Sequence, residues 1–167
     1  MSARHPDAEP ELTRFKEAQD RPDSGFESAL QEIRAGAKQG HWIWWVFPQL
    51  SGLGSSSVSR AYGVHGLVEA EEYLRDATLR SRLLTIATAV ADHLAQGASI
   101  ETLMGSPVDA MKLVSSLTLF GRAARELHAA EGRADYGALA RVAATVLSAA
   151  ELQGYGPCQY TLSQVGS

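Results

Sequence analysis

All three tryptophans of this 167-residue chain stand within four positions, in the run His41-Trp42-Ile43-Trp44-Trp45-Val46-Phe47-Pro48-Gln49. Tryptophan is costly to leave in water and is the best flat platform for a ring or a cation. A chain that concentrates its whole supply there builds either the centre of its core or the wall of a pocket. Trp44 and Trp45 are adjacent and must diverge, so the three rings cannot share one face. On a helix Trp42 and Trp45 lie together and Trp44 departs; on a strand Trp42 and Trp44 lie together and Trp45 opposes them. The bulky, branched residues favour a strand, yet an isolated strand has no partner for its backbone groups. The segment therefore reads as a short helix or as an extended piece threaded through the core.

Around it the dominant period is helical. Phe26, Leu30, Ile33 and Ala37 fall on one face, with Gly36 and Gly40 near the helix end. The small-residue stretch Ser51–Ser57 is a loop leading into a short helix through Tyr62. Val68 to Leu74 is rich in helix formers, with Glu69, Glu71 and Glu72 near its start, where carboxylates suit the helix dipole. Leu79, Leu83, Ile86, Val90 and Leu94 make the cleanest apolar stripe, ended by Gly97. Ser106-Pro107-Val108-Asp109 opens another helix, with Ser as cap and Pro at the first position, running to Phe120. A last helix spans Tyr136 to about Leu152, capped by Asp135. The expected fold is all-α, a compact single domain of several helices around the aromatic segment. Residues 13–155 form that domain, with 1–12 and 156–167 as loose ends.

Hydrophobic residues at 45% and charged ones at 20% mark a folded globular chain rather than a disordered one. A net charge of −4 and scattered basic residues disfavour nucleic acid and anionic membrane surfaces as partners. A single cysteine, Cys158, excludes an internal disulfide and a cysteine-based metal cluster, and it reads as a partly exposed tail thiol. The polar N-terminus holds no signal-type apolar region, and no run is long enough to cross a membrane, so the expected location is cytoplasmic. His5, His41, His65, His93 and His128 show no ligand spacing, and neither a metal nor a cofactor is expected. The oligomeric state stays open.

Several groups can carry chemistry. The loop with Ser55 and Ser56, followed by Arg60, has the composition of a phosphate cradle, although Gly and Ser also make ordinary loops and caps. Asp109 and Lys112 share a helix face at i, i+3. They form either a surface ion pair or a cation at a pocket floor, with Ser115, Ser116 and Thr118 as hydrogen-bonding neighbours. Among the acids beside Tyr73, one near an aromatic wall can have a raised pKa and act as acid or base, and Glu69 is the one to test. His41 reads mainly as a packed neighbour of the aromatic run, and Gln49 and Tyr62 offer polar contacts to Trp42 or Trp44.

The aromatic string through Leu50, then Gly52-Leu53-Gly54, Ser56, Tyr62-Gly63, Glu69-Ala70, Tyr73-Leu74 and Arg82-Leu83, resembles a bacterial family catalogued as domain of unknown function 1810. The match resumes at Gly105–Leu113 and Ser115–Phe120, and Arg14-Phe15 with Gln19 also fit it. The resemblance covers about Leu12 to Phe120 and implies a mainly helical single domain with no established activity. Ala77-Thr78 stand where members usually carry His-Pro.

Two readings follow. In the first, the chain is an enzyme on a nucleotide-like or ADP-ribose-like small molecule, hydrolysing an N-glycosidic or related bond. Glu69, Asp109 and Lys112 would be catalytic, and His41, Trp42, Trp44, Gln49, Ser55, Ser56, Arg60 and Tyr62 would hold the ligand. In the second it is a non-catalytic binding or protein-interaction module, with the aromatic string as core.

Overall fold

The computed structural model describes residues 9–166, and among these it contains ten helices and no strand, as the all-α reading expects. In chain order they are α1 (Glu9–Gln19), α2 (Phe26–Arg34), α3 (Ile43–Val46), α4 (Ser57–Ala61) and α5 (Leu67–Arg75). The remainder are α6 (Ala77–Ala95), α7 (Ile100–Met104), α8 (Pro107–Glu131), α9 (Ala134–Leu152) and α10 (Gln159–Val165). No helix among the described residues is long and apolar enough to cross a membrane.

The centre of the molecule is α8. Every residue from Leu113 to Gly121 is buried, so over that stretch the helix is covered on all sides. It packs against α9, α5, α7, α10 and α3. Ser106 Oγ accepts the Asp109 N–H at 3.1 Å and starts the helix where the sequence predicts. Phe120 does not end it: Ala123, Ala124 and Leu127 continue the buried face, and Gly132 in the left-handed conformation stops it after Glu131. At Gly121 an added Cβ would stand 3.2 Å from the Ala143 methyl, which measures how closely α8 and α9 approach.

The stripe Leu79, Leu83, Ile86, Val90 and Leu94 is buried along α6. Ala77-Thr78 fall on the first turn of that helix, where Asp76 Oδ1 accepts the Leu79 N–H at 3.0 Å. Asp135 is not the cap of α9. Arg133 occupies that position, and Asp135, in the first turn, receives Arg80 Nε at 2.7 Å and so ties α9 to α6.

Helices reach into both of the expected loose ends. Residues 1–8 of the expected N-terminal tail lie outside the described residues, and α1 begins at Glu9. The C-terminal segment is not a tail up to Gly166. It forms α10, with Thr161 fully buried, Arg122 Nε donating to the Val165 carbonyl at 3.3 Å and Tyr160 Oη donating to the Ser51 carbonyl at 3.2 Å. Gly and Pro at 154–157 mark a sharp connection rather than disorder.

The segment 50–64 is closed at its base by a single parallel bridge between Leu50 and Val64. Ser51 N donates to Val64 O and Val64 N to Gln49 O, both at 2.8 Å. The cleft described next lies between this segment and the first turns of α8.

Candidate functional site

The tryptophan run adopts the helical alternative. Trp42 and Trp45 point inward, fully buried and 6% exposed, while Trp44 on α3 is half-buried. Trp45 is fixed at both ends: its Nε1 donates to the Ser24 carbonyl at 2.8 Å, and its own carbonyl accepts Gln19 Nε2 at 2.8 Å. Trp42 Nε1 donates to Glu32 Oε1 at 3.1 Å, which also accepts the backbone N–H groups of Gln39 and Gly40 at 2.6 and 2.7 Å. Burial pushes the Glu32 carboxyl up. The N–H groups of Gly40, Gln39 and Trp42, with the Lys38 charge, outweigh it and hold that carboxyl below the ordinary carboxylate range. Two rings are therefore core, and one is available to a site.

Two lysines stand on those rings. The buried Lys38 ammonium lies 4.9 Å from the Trp42 ring centre and 2.8 Å from Asp109 Oδ2. Lys112 lies 4.6 Å from the Trp44 ring centre and 3.8 Å from Asp109 Oδ1. The shorter of the two ion pairs neutralises Asp109 with Lys38. Lys112 keeps a weak, longer contact and with it most of its positive field.

Lys38 owes its place to Gly105. That residue ends α7 at φ +85°, while Lys38 N donates to the Leu103 carbonyl at 2.8 Å. A Cβ at position 105 would come 2.9 Å from the Lys38 carbonyl oxygen. Gly105→Ala is therefore expected to lower stability by about 2 kcal/mol, from a left-handed backbone and a backbone clash together. A urea-denaturation midpoint unchanged from wild type would show that the 38–105 contact is slack.

Lys112 opens into a cleft of about 420 Å³ between the 49–59 segment and α8. Trp44, Gln49 and Leu53 form one wall, and Ser55, Ser56 and Ser59 form the lip. Val108, Met111, Lys112 and Ser115, at i, i+3, i+4 and i+7 of α8, form the other wall. Val108 and Met111 are 59% and 60% exposed, an apolar rim beside a cation. The hydroxyls of Ser56 and Ser59 are engaged with each other at 2.9 Å, and Ser56 Oγ caps α4 by accepting the Ser59 N–H at 3.1 Å. Ser56 is thus a cap as well as a lining residue.

The residues singled out in the sequence divide. Trp44, Gln49, Ser55, Ser56 and Lys112 line the cleft together. Tyr62 borders a smaller recess that shares Trp44 and Gln49. Asp109 stands behind Lys112 in its bridge to Lys38. Trp42 is core, and His41 and Arg60 are exposed and do not line the cleft. Glu69 lies elsewhere. Its carboxylate is 2% exposed and receives Arg14 Nη2 at 2.9 Å and the His65 N–H at 3.3 Å. The same guanidinium donates to the carbonyls of Ala61 and Gly63. Burial raises the Glu69 pKa, but the Arg14 hydrogen bond and charge prevail and hold it below the ordinary range, the opposite of a poised general acid. Among the three acids it is Glu71 whose burial pushes its carboxyl up, and it does not line the cleft.

Sequence reasoning missed Lys38, Val108 and Met111. The last two had a signal, since they share with Lys112 a helical face at the start of α8 that the buried residues of that helix leave open. Lys38 had only its rarity as one of three lysines. Among the described residues no group of three His, Cys, Asp or Glu side chains is placed to hold a metal ion.

A family model described as "Protein of unknown function (DUF1810)" matches residues 9–136, which include every residue of the cleft. The chain belongs to the DUF1810 family. The crystal structure of the conserved hypothetical protein Rv1873 from Mycobacterium tuberculosis is similar to this DUF1810 chain, with 39% sequence identity and a TM-score of 0.71. The similarity covers 94% of this chain and 97% of that one. No curated protein matches the chain. Within the DUF1810 match, Arg14, Phe15 and Gln19 prove to be structural: Arg14 clamps the 61–69 turn, Phe15 is core, and Gln19 joins the Trp45 carbonyl to the Tyr73 hydroxyl.

Proposed function

We propose that this DUF1810 protein binds a small organic anion in the cleft, its negative group at Lys112 and a flat or apolar body against Trp44, Met111 and Val108, with nucleotide-like molecules the first class to test. The observation that carries this is the Lys112 ammonium, which faces a cleft while its carboxylate neighbour is taken up by Lys38 at 2.8 Å. A cation held over an indole beside an apolar rim is a mixed surface that a phosphate or carboxylate on an organic body complements. Ser55 at the lip and the Gln49 amide in the wall line the same cleft and can hydrogen-bond the head group. Hydrolysis of an N-glycoside has less support, because no carboxylate is among the described residues that line the cleft. Asp109 would first have to leave Lys38. The charge of −4 and the free cysteine fit a small-molecule binder of a reducing cytoplasm better than a nucleic-acid partner.

The test is a thermal-shift and tryptophan-fluorescence titration with AMP, ADP-ribose and ribose 5-phosphate, with adenosine as the uncharged control. Anionic ligands should raise the melting temperature and change the emission, since the Trp44 indole walls the cleft. Lys112→Ala should weaken binding at least about tenfold, and Lys112→Arg should keep most of it. Equal responses to AMP and adenosine, or unchanged binding by Lys112→Ala, would remove the anion site. Adenine release from AMP or ADP-ribose that is lost in Asp109→Asn would restore the hydrolytic reading.

A further inference from the structure

A second cavity of about 220 Å³ adjoins the cleft, and the two share Met111 and Ser115 as lining residues. Beyond Met111 its walls are Val114, Tyr155, Gly156, Pro157 and Cys158. No charged side chain is among them, in contrast to Lys112 on the near side. The far wall is held in place: Tyr155 Oη donates to Glu101, Gln153 Oε1 accepts the Ile100 N–H at 2.8 Å, and Cys158 N donates to Thr118 Oγ1 at 3.3 Å. Met111, which lines both cavities, is an unbranched and exposed thioether that changes rotamer readily.

We propose that the two cavities form one elongated site for a soluble amphiphilic anion, whose head lies at Lys112 and whose apolar tail crosses Met111 into the cavity walled by Tyr155, Pro157 and Cys158. This rests on the anion reading above and adds the shape and polarity of the ligand. A cation at one end and uncharged walls at the other prescribe a molecule charged at one end only, such as an alkyl or aryl phosphate or carboxylate. The net charge of −4 opposes docking on an anionic bilayer, so the occupant is a single dissolved molecule rather than a lipid surface. A tail that reaches the second cavity covers the Cys158 thiol, a built-in reporter because it is the chain's sole cysteine. Burial pushes that thiol up, but the Ser115 and Thr161 hydroxyls and the Thr161 and Tyr160 N–H groups outweigh it and favour the reactive thiolate.

The experiment compares methyl, butyl and octyl phosphate on the full chain, below micellar concentrations, with carbamidomethylation of Cys158 by neutral iodoacetamide as a second readout. Affinity should rise with chain length, by up to about fourfold per methylene that becomes buried. Saturating octyl phosphate should slow modification of Cys158 at least about tenfold, whereas saturating methyl phosphate should leave the rate unchanged, since only the tail reaches the thiol. Met111→Gln, a substitution at an exposed position, should flatten the rise in affinity from methyl to octyl phosphate. If methyl phosphate binds but octyl phosphate binds no better or leaves Cys158 open, the elongated site is wrong and the anion site stands. Failure of every phosphate to bind overturns both. Co-sedimentation with phosphatidylserine vesicles without binding of monomeric octyl phosphate overturns the soluble ligand.

Discussion

Trp42→Ala is expected to destabilise the protein by about 4 kcal/mol, the largest loss among the tryptophan variants. The ring is fully buried and carries the Lys38 ammonium on its face, and its Nε1 is one of three donors to Glu32 Oε1. Truncation removes the largest wholly buried side chain and leaves a cavity that its neighbours fill only in part. It also takes a donor from a half-buried carboxylate whose other partners are the N–H groups of Gln39 and Gly40, so the 35–42 loop loosens with it. Trp44→Ala should behave differently. That ring is half-buried and walls the cleft, so its loss should cost about 1–2 kcal/mol in stability and fall mainly on ligand binding. Urea denaturation of the two variants at pH 7 checks the contrast. Equal losses would mean that Trp44 is as much core as Trp42, and the cleft would lose its aromatic wall.

The contrast answers the alternatives that the aromatic run poses. The sequence predicts that adjacent indoles diverge, and it predicts which pair stays together on a helix. It could not choose helix over strand, because a four-residue helix has too few turns to show a period. That choice was made by tertiary contacts: Ser24 and Gln19 hold Trp45, and Glu32 holds Trp42, and all three partners lie 10 to 26 positions away. The longer helices were legible from their stripes and caps, as with Ser106 and Asp76. The ends were not. Gly154, Gly156 and Pro157 resemble a frayed terminus in composition, and only the distant partners Ser51, Thr118 and Arg122 reveal a docked helix. The cleft was half-legible for the same reason. Lys112 and its face of α8 are local and periodic. Lys38 reaches Asp109 across 71 positions, through the tight approach at Gly105. Glu69 had the right chemistry for a general acid and the wrong surroundings, because its partner Arg14 lies 55 residues earlier in the chain.

That pairing makes Glu69→Gln a test of structure rather than of catalysis. The substitution removes the charge from a carboxylate that is 2% exposed and leaves the Arg14 guanidinium, 20% exposed, without its counter-ion. Breaking such a pair should cost about 3 kcal/mol, the low end for buried ion pairs because Arg14 keeps some contact with water. The loss should also loosen the 61–65 turn, whose carbonyls at Ala61 and Gly63 are held by the same guanidinium. Its pH dependence is set by the lowered Glu69 pKa. A carboxyl whose folded pKa lies below its unfolded value of about 4.3 contributes its full stabilisation above that value and loses it as pH falls through the folded pKa. The gap between wild type and Glu69→Gln should therefore be constant from pH 8 to pH 6. Below about pH 4 it should narrow, as protonation turns the wild-type side chain into a neutral isostere of the variant. Ligand affinity at the cleft, measured at pH 7 where both proteins are folded, should differ by less than about threefold, since Glu69 does not line it. A stable Glu69→Gln protein that has lost ligand turnover would instead return Glu69 to the catalytic role that its residue type suggests and its burial under Arg14 denies.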